Sequence, residues 1–421
     1  MTPNKMRAFA LASATSIAAL AFSAAQAEVE IEYWQYFFDA RVTAMEQLIE
    51  TFNEENDGIT VTMTHFPYAD YRTKVAAAIP AGEGPDVVQL FYGWLNDYVA
   101  ADLIQPLPAE TFPAGKIDAE FFPMVQAMKA GDQYWALPTA VRSLALFYNE
   151  RLLEEAGVAP PTTLEEMVEA AAAMTKTDAA GNITQVGITA GMTAQDHHWF
   201  REGLVRQMGG EPYLDDYQTV NYNTPEGLEA LTFYTDLFMS EAPVSAIGFM
   251  DEPQAAFKAG RAGMHIDGSF RIGSLNNTRG LKWGVTELPA TADGVRSNYS
   301  SYWVNAITTK AEGEKYDAAV KFMEYITSDE AMQIWLDVVG ELPAKPSVGM
   351  TEENASNEVF GPFIRGLEYA NTTKFVNESA QRQLMVEMVE RIQLEGMSVE
   401  ESLAIAAEAE QAILDDFYAT N

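Results

Sequence analysis

The chain has 421 residues, 61 acidic against 26 basic, for a formal net charge of −35, and it contains no cysteine. So acidic a surface makes nucleic acid and anionic lipid poor partners, and the missing thiols exclude disulfides, cysteine nucleophiles and cysteine-based metal fingers. Its four histidines, His65, His197, His198 and His265, are too few and too scattered for a metal set, so neither metal nor cofactor is expected.

Residues 1–27 carry Lys5 and Arg7, then an uncharged, Ala-rich run over 8–25, then Ala25-Gln26-Ala27 before the first acid, Glu28. This is the pattern of a secretory signal peptide cleaved after Ala27, which delivers the product to a periplasm. A membrane-spanning helix fits less well, because the run is short, poor in Leu and Ile, and interrupted by Ser and Thr. The remainder is longer than one hydrophobic core usually serves, which predicts two lobes, each with its own core.

Val29, Ile31 and Tyr33 alternate with Glu28, Glu30 and Glu32, the period of a strand, and lead into Trp34-Gln35-Tyr36-Phe37-Phe38. Helical spacing follows at Val42, Met45, Leu48, Ile49 and Phe52. A second strand alternates Ile59, Val61 and Met63 with threonines; a helix is expected over about 70–79, a Gly82-Glu83-Gly84-Pro85 turn next, and a buried strand over 86–90. The βαβαβ order builds a parallel sheet whose ligands gather beyond the carboxyl ends of the strands. Those ends carry Trp34, Gln35, Tyr36 and Phe37, then His65, Pro67, Tyr68 and Tyr71, then Phe91, Tyr92, Gly93 and Trp94. A run of adjacent aromatics cannot all point into a core, so these ends are candidate ligand surface.

Tyr134, Trp135 and Leu137 end an apolar strand at Pro138, and the polar passage of Thr139, Arg142 and Ser143 reads as a hinge before a second apolar run over 144–148. A short helix, a Gly157 stop and the Pro160-Pro161 break follow, and Thr163 with Glu166 three residues on has the spacing of a capping box. Helices are expected over 162–175, 224–239 and 252–259, and strands over 187–189, 262–266 and 282–287. His197 and His198, beside Trp199, could touch a ligand, but neighbours on one helix point apart. Asp267-Gly268-Ser269-Phe270 falls at another strand's carboxyl end, and residues 297–308, SNYSSYWVNAIT, read as a polar turn and second hinge leading into a strand. Helices over 311–324 and 329–338 precede a break at Gly340-Glu341-Leu342-Pro343-Ala344, and the last 60 or so residues read as wholly helical, divided by Gly396.

Taken in order, EVEIEYWQY, TFNEENDGITVTM, GEGPDVVQLF, GDQYWALP, LALFYNERLLEEAGVAPPTTLEEM, AAFKAGRAGMHIDGSF, WGVTELPA and KFMEYITSDEAMQIW with GELPAKPS resemble the extracellular solute-binding proteins of ABC importers. The resemblance is to their sugar-binding group, family 1, which includes maltose-binding protein, and it covers nearly all of the chain after residue 27. It implies an α/β, two-lobed periplasmic-binding-protein fold of type II, each lobe a mostly parallel sheet flanked by helices, with a helical C-terminus. The lobes it implies are 28–138 plus 302–344 and 139–301 plus 345–421, with crossings near 138–143, 297–301 and 342–345. It further implies a monomer that captures a small-molecule solute, a carbohydrate, by hinge closure and passes it to transmembrane permease subunits of an ABC transporter. The chain has no GxxxxGK[ST] loop, so nucleotide chemistry is not its task.

Sugar recognition needs flat apolar surfaces for C–H faces and a few fixed polar groups for hydroxyls. Trp34, Tyr36, Tyr68, Tyr92, Trp94, Trp199, Phe270, Tyr302 and Trp303 are candidates for the first role, and Gln35, Arg142, Asp267, Ser269 and Glu341 for the second. Against the maltodextrin receptors of the family, Arg142 replaces an acidic contact, the charged pair around residues 38–41 is altered, and Tyr92, Gly93 and Trp94 stand where charged groups would be. These departures speak against a maltodextrin. Arg142 either receives solute oxygens or braces the hinge in a salt bridge. The competing solutes are a polyol, a glycerol phosphodiester, a sulfonated or acidic sugar, or a polyamine. A secreted glycoside hydrolase would need two facing carboxyls, for which Asp267 and Glu341 could be proposed, but no GxSxG or HExxH accompanies them, and no catalysis is expected.

Overall fold

The structure is a computed structural model that describes residues 28–214 and 217–420; the expected export segment, residues 1–27, lies outside them. The chain opens with β1 (Val29–Tyr36), α1 (Asp39–Glu55), β2 (Ile59–Phe66), α2 (Tyr68–Ala78) and β3 (Val87–Phe91). After these come β4 (Leu137–Asn149), α3 (Glu150–Ala156), α4 (Leu164–Met174), β5 (Ile183–Ile188) and α5 (Pro225–Met239). Next are β6 (Ala262–Gly268), β7 (Trp283–Thr286), β8 (Asn298–Ile307), α6 (Glu314–Ile326), α7 (Asp329–Val339), β9 (Leu342–Pro343), α8 (Glu378–Glu395) and α9 (Val399–Thr420).

As the alternation of apolar residues requires, β1 pairs in parallel with both β2 and β3. α1 forms over them because Val42, Met45, Leu48, Ile49 and Phe52 make one apolar stripe, all of it buried. Truncating Leu48 to Ala would cost about 2–5 kcal/mol. Two local signals act as their chemistry demands: Gly157 takes a left-handed φ of 70° to end α3, and Thr163 with Glu166 forms the reciprocal capping box that opens α4.

Past β3 the sheet runs in the order β2-β1-β3-β8-β4-β6-β5, antiparallel from β3 through β8 and β4 to β6 and parallel again between β6 and β5, with β7 and β9 also on β4. β4 is one strand of 13 residues, so the polar passage at Thr139, Arg142 and Ser143 does not interrupt it. Its first half pairs with β8 and β9, and its second with β6 and β7, so the backbone of the polar passage stays hydrogen-bonded throughout. Likewise, the expected turn at the start of 297–308 is already strand: Asn298 and Tyr299 pair with Ala370 and Asn371. That pairing also corrects the wholly helical reading of the C-terminus. Thr372 and Thr373 donate to Ser300 O and Glu202 Oε1, at 2.7 and 2.6 Å, and these side-chain bonds hold the segment out of a helix. The buried residues of the two halves connect in one cluster through the sheet, because β4 and β8 carry apolar residues such as Leu146, Phe147, Val304 and Ile307 from one half to the other.

Candidate functional site

The carboxyl ends of β1 and β3 lie together, and β8 brings Trp303 beside Phe91. Strand alternation sends Tyr33 to the α6 side, against Phe322, and Trp34 and Tyr36 to the other. The Tyr36 ring lies 4.2 Å from Trp303 and 5.5 Å from Tyr68, and Trp303 lies 5.4 Å from Trp94 and 5.8 Å from Phe91. Ring pairs at such spacings contribute about 0.5–1.5 kcal/mol each beyond the area they bury, so the wall is stiff. The buried Tyr71 hydroxyl ties it to the strands through Trp34 O and Gln89 O, at 2.9 and 2.6 Å. Tyr68 remains 63% exposed and forms the open edge of this aromatic wall.

Next to the wall, three charged side chains from separate parts of the sequence meet. Arg142 of β4 holds Glu341 Oε1 through Nε at 2.6 Å, and Arg41 of α1 bonds the same oxygen. Trp335 Nε1 takes the other oxygen at 2.9 Å. Burial works to raise the pKa of Glu341, but Arg142 and then Arg41 overcome it and bring the carboxyl down to about 2. Arg41 also stacks on Tyr36, 4.9 Å from its ring, and Arg142 Nη2 lies 3.4 Å from the Tyr36 hydroxyl. Salt bridge and wall are therefore one unit.

Across from it, β6 ends in the turn that carries Ser269, Phe270 and Arg271. Asp267 shapes this turn: it accepts from Gly268 N at 2.8 Å, Arg271 Nε at 2.6 Å and His265 Nε2 at 3.1 Å. Burial raises its pKa, but His265 and Arg271 more than offset that, and the net direction is down. Phe270 then lies between two guanidiniums, 4.9 Å from Arg142 and 5.5 Å from Arg271. A cavity of about 1100 Å³ opens here, lined by Phe38 and Asp39 at the start of α1, by Ser269 and Phe270, and by Glu341. Its size admits a ligand of more than one ring.

The structure thus gathers Tyr36, Tyr68, Trp94 and Trp303 in the wall, with Arg142 and Glu341 beside them and Ser269 and Phe270 opposite. Trp34 and Gln35 are buried at the carboxyl end of β1, and the indole N–H of Trp34, both amide atoms of Gln35 and the Ser269 hydroxyl have no hydrogen-bond partner among the described residues. The remaining candidates lie elsewhere. Tyr92 and Tyr302 stack on each other at 4.8 Å within the core, with their hydroxyls on Tyr299 and Met124 O. Trp199 is 1% exposed against Phe233 and Tyr234. Asp267 spends its oxygens on its own turn. Asp267 and Glu341, both held ionised, also lack the raised pKa that a general acid needs.

His197 and His198 depart from the expectation for neighbours on a helix: their ring centroids are 3.6 Å apart. The helix there is a single turn, Asp196–His198, that opens directly into a π-helical turn, so regular α divergence does not apply. His198 stacks on Tyr299 at 3.7 Å, and burial, first of all, pushes the pKa of both histidines down, so both are neutral. No group of three or more metal-ligating side chains occurs among the described residues. Arg41 is the residue whose place in this arrangement the sequence signals without its being singled out, since Arg41, Met45, Leu48 and Phe52 share one helix stripe and only Arg41 is charged. Glu378 and Arg382, whose charges reach Tyr68 from α8, have no such signal.

The sequence profile of the family described as bacterial extracellular solute-binding protein matches residues 47–360. A maltotriose-binding protein of Pyrococcus abyssi is 26% identical over 311 residues, which is 72% of this chain and 64% of that relative's length. The crystal structure of a cyclic α-maltosyl-1,6-maltose binding protein from Arthrobacter globiformis superposes with a TM-score of 0.79 at 20% identity, covering 92% of this chain and 99% of that one. UgpB from Mycobacterium tuberculosis, solved in complex with glycerophosphocholine, superposes with a TM-score of 0.75 at 18% identity, covering 92% and 98%. At these identities, the superpositions establish a common fold, the type II periplasmic-binding-protein fold.

Proposed function

This chain belongs to the bacterial extracellular solute-binding proteins, and from that premise we propose that it captures a carbohydrate in the cleft between the Tyr36–Trp303 wall and Phe270 and delivers it to an ABC permease. The observation that carries this reading is an aromatic wall at the carboxyl ends of the strands that is joined through Tyr36 and Arg142 to Glu341, which with Phe270 lines the adjoining cavity. The names of the maltotriose-binding and cyclic maltosyl-maltose-binding relatives support the carbohydrate character. Residues 28–138 with 302–344 would form one lobe and 139–301 with 345–421 the other, β4, β8 and the β9 turn serving as the three crossings. Closure depends on solute when both sides gain contacts only in the shut state. Export by residues 1–27 puts the receptor in the periplasm, and it performs no reaction on what it holds. Calorimetry on the mature chain against mono-, di- and trisaccharides, with small-angle scattering before and after addition, tests the proposal. Micromolar affinity, about −8 kcal/mol, with a smaller radius of gyration is expected; no heat and an unchanged scattering curve would sink it.

A further inference from the structure

We infer that the solute carries an oxyanion, a carboxylate, sulfonate or phosphate on its carbohydrate body, and that Arg142, backed by Arg41, receives it. This rests on the cleft's being the solute site and adds the charge of what fills it.

Charge count is decisive here. Two guanidiniums converge on the single oxygen Glu341 Oε1, and Trp335 occupies the other oxygen. Arginine stays protonated and Glu341, with its depressed pKa, is ionised, so one positive charge is left over. That charge is not in water. The Arg41 side chain is 2% exposed, and its Nε and Nη1 have no partner among the described residues. A buried charge without its counter-ion costs several kcal/mol.

Nearby acids do not restore the balance. Asp39, Asp337 and Glu353 line the cavity but are exposed, so solvent and salt screen them. Asp267 is taken up by Arg271 and His265. Glu378 and Arg382 of α8 bring one charge of each sign near Tyr68.

The surplus charge is also within reach of a solute. Arg142 keeps 15% of its side chain exposed and stacks on Phe270, which lines the cavity. A planar guanidinium at the cleft wall suits an oxyanion, whose two oxygens match its fork. A neutral sugar would use the wall and the polar groups beside it; an acidic one would in addition neutralise the surplus charge.

Calorimetry on the mature protein with matched pairs tests this: glucose against glucuronate, galactose against galacturonate, and glycerol against glycerol 3-phosphate. The expected result is that at least one anion binds 30-fold or more tightly than its neutral partner, and that Arg142→Gln removes the preference. Which pair responds tells carboxylate from phosphate. Glu341→Gln, which adds to the surplus charge, should tighten the same anion further. Neutral members binding as well as their anions, or an anion preference that survives in Arg142→Gln, would overturn the inference and leave the sugar cleft standing. Silence from every pair would overturn the inference, and the sugar cleft would then stand or fall by the di- and trisaccharide titrations.

Discussion

Two buried arginine–glutamate groups occupy different regions of this molecule, and they differ in what they leave over. At the C-terminal helix, Glu410 of α9 receives Arg201 Nη2 at 3.0 and 3.1 Å, the Tyr213 and Tyr222 hydroxyls, and the Gln381 amide at 2.9 Å. Both charged side chains are 0% exposed, and Glu202 adds a second negative field on Arg201. Beside the aromatic wall, one carboxylate serves two guanidiniums and one of these reaches solvent. Arg41 and Arg201 alike have Nε and Nη1 atoms without partners, so an orphaned N–H does not by itself mark a site. Charge balance and an opening onto the cavity do. The first group is a knot that fastens the π-helical turn to the C-terminal helix; the second sets two guanidiniums against one carboxylate beside the cavity.

The most forceful way to break this contrast is Glu410→Ala. It leaves Arg201 buried opposite hydroxyls that cannot neutralise it, and should cost about 3–5 kcal/mol of stability. Denaturant titration would show the loss, while solute affinity measured well below the unfolding transition should not change. A variant as stable as the parent would mean that the knot fastens nothing.

Acid comes next. The Glu341 carboxyl is lowered from 4.5 to about 2, so its contribution is complete above pH 4.5 and is lost as the pH falls toward 2. Integrated, the shift amounts to about 3 kcal/mol. Glu341→Gln should be less stable than the parent at pH 7 by about that amount, and the two should converge near pH 2. Parallel acid-denaturation curves for the two proteins would place the stability of the triad elsewhere.

How far these regions are legible in the sequence follows from how local their causes are. The capping box at Thr163 and Glu166, the stop at Gly157 and the βαβαβ opening rest on neighbours within a turn or an alternation, and the structure has all of them. The wall is partly legible, because aromatics at strand ends cannot all be core. Yet strand parity, which sends Tyr302 and Trp303 to opposite faces of β8, is what makes one a core residue and the other wall. The ion groups are not legible as partners at all: Arg41 and Glu341 are 300 residues apart and Arg201 and Glu410 are 209. Arg142 shows the limit well. Its sequence permits a solute contact or a salt bridge; the structure has the bridge to Glu341, and leaves the side chain 15% exposed against Phe270.

Tyr68→Ala tests the wall where truncation costs the fold least. The ring is 63% exposed, so stability should move by less than about 1 kcal/mol, whereas solute affinity should drop about tenfold through the lost platform. Unchanged affinity, measured calorimetrically with whichever sugar binds the parent, would remove Tyr68 from the site and shorten the wall to Tyr36, Trp303 and Trp94.

The smallest expected effect is the most discriminating, because it separates the two groups by charge count alone. In the ligand-free protein, Arg142→Gln removes one of two cations and leaves Arg41 paired one-to-one with Glu341 and Trp335 still on its second oxygen. What is lost is a charge-assisted bond at a partly exposed position and the stacking on Phe270 at 4.9 Å; what is relieved is an uncompensated buried charge. These oppose each other, each on the order of 1–2 kcal/mol, so the net change should be within about 0.5 kcal/mol. Arg201→Gln offers no such relief: it strands Glu410 among neutral donors and should cost several kcal/mol. Equal losses in the two variants, measured by urea titration at pH 7 without solute, would mean that Glu341 depends on Arg142 to the same degree that Glu410 depends on Arg201. The surplus charge beside the cleft would then not exist.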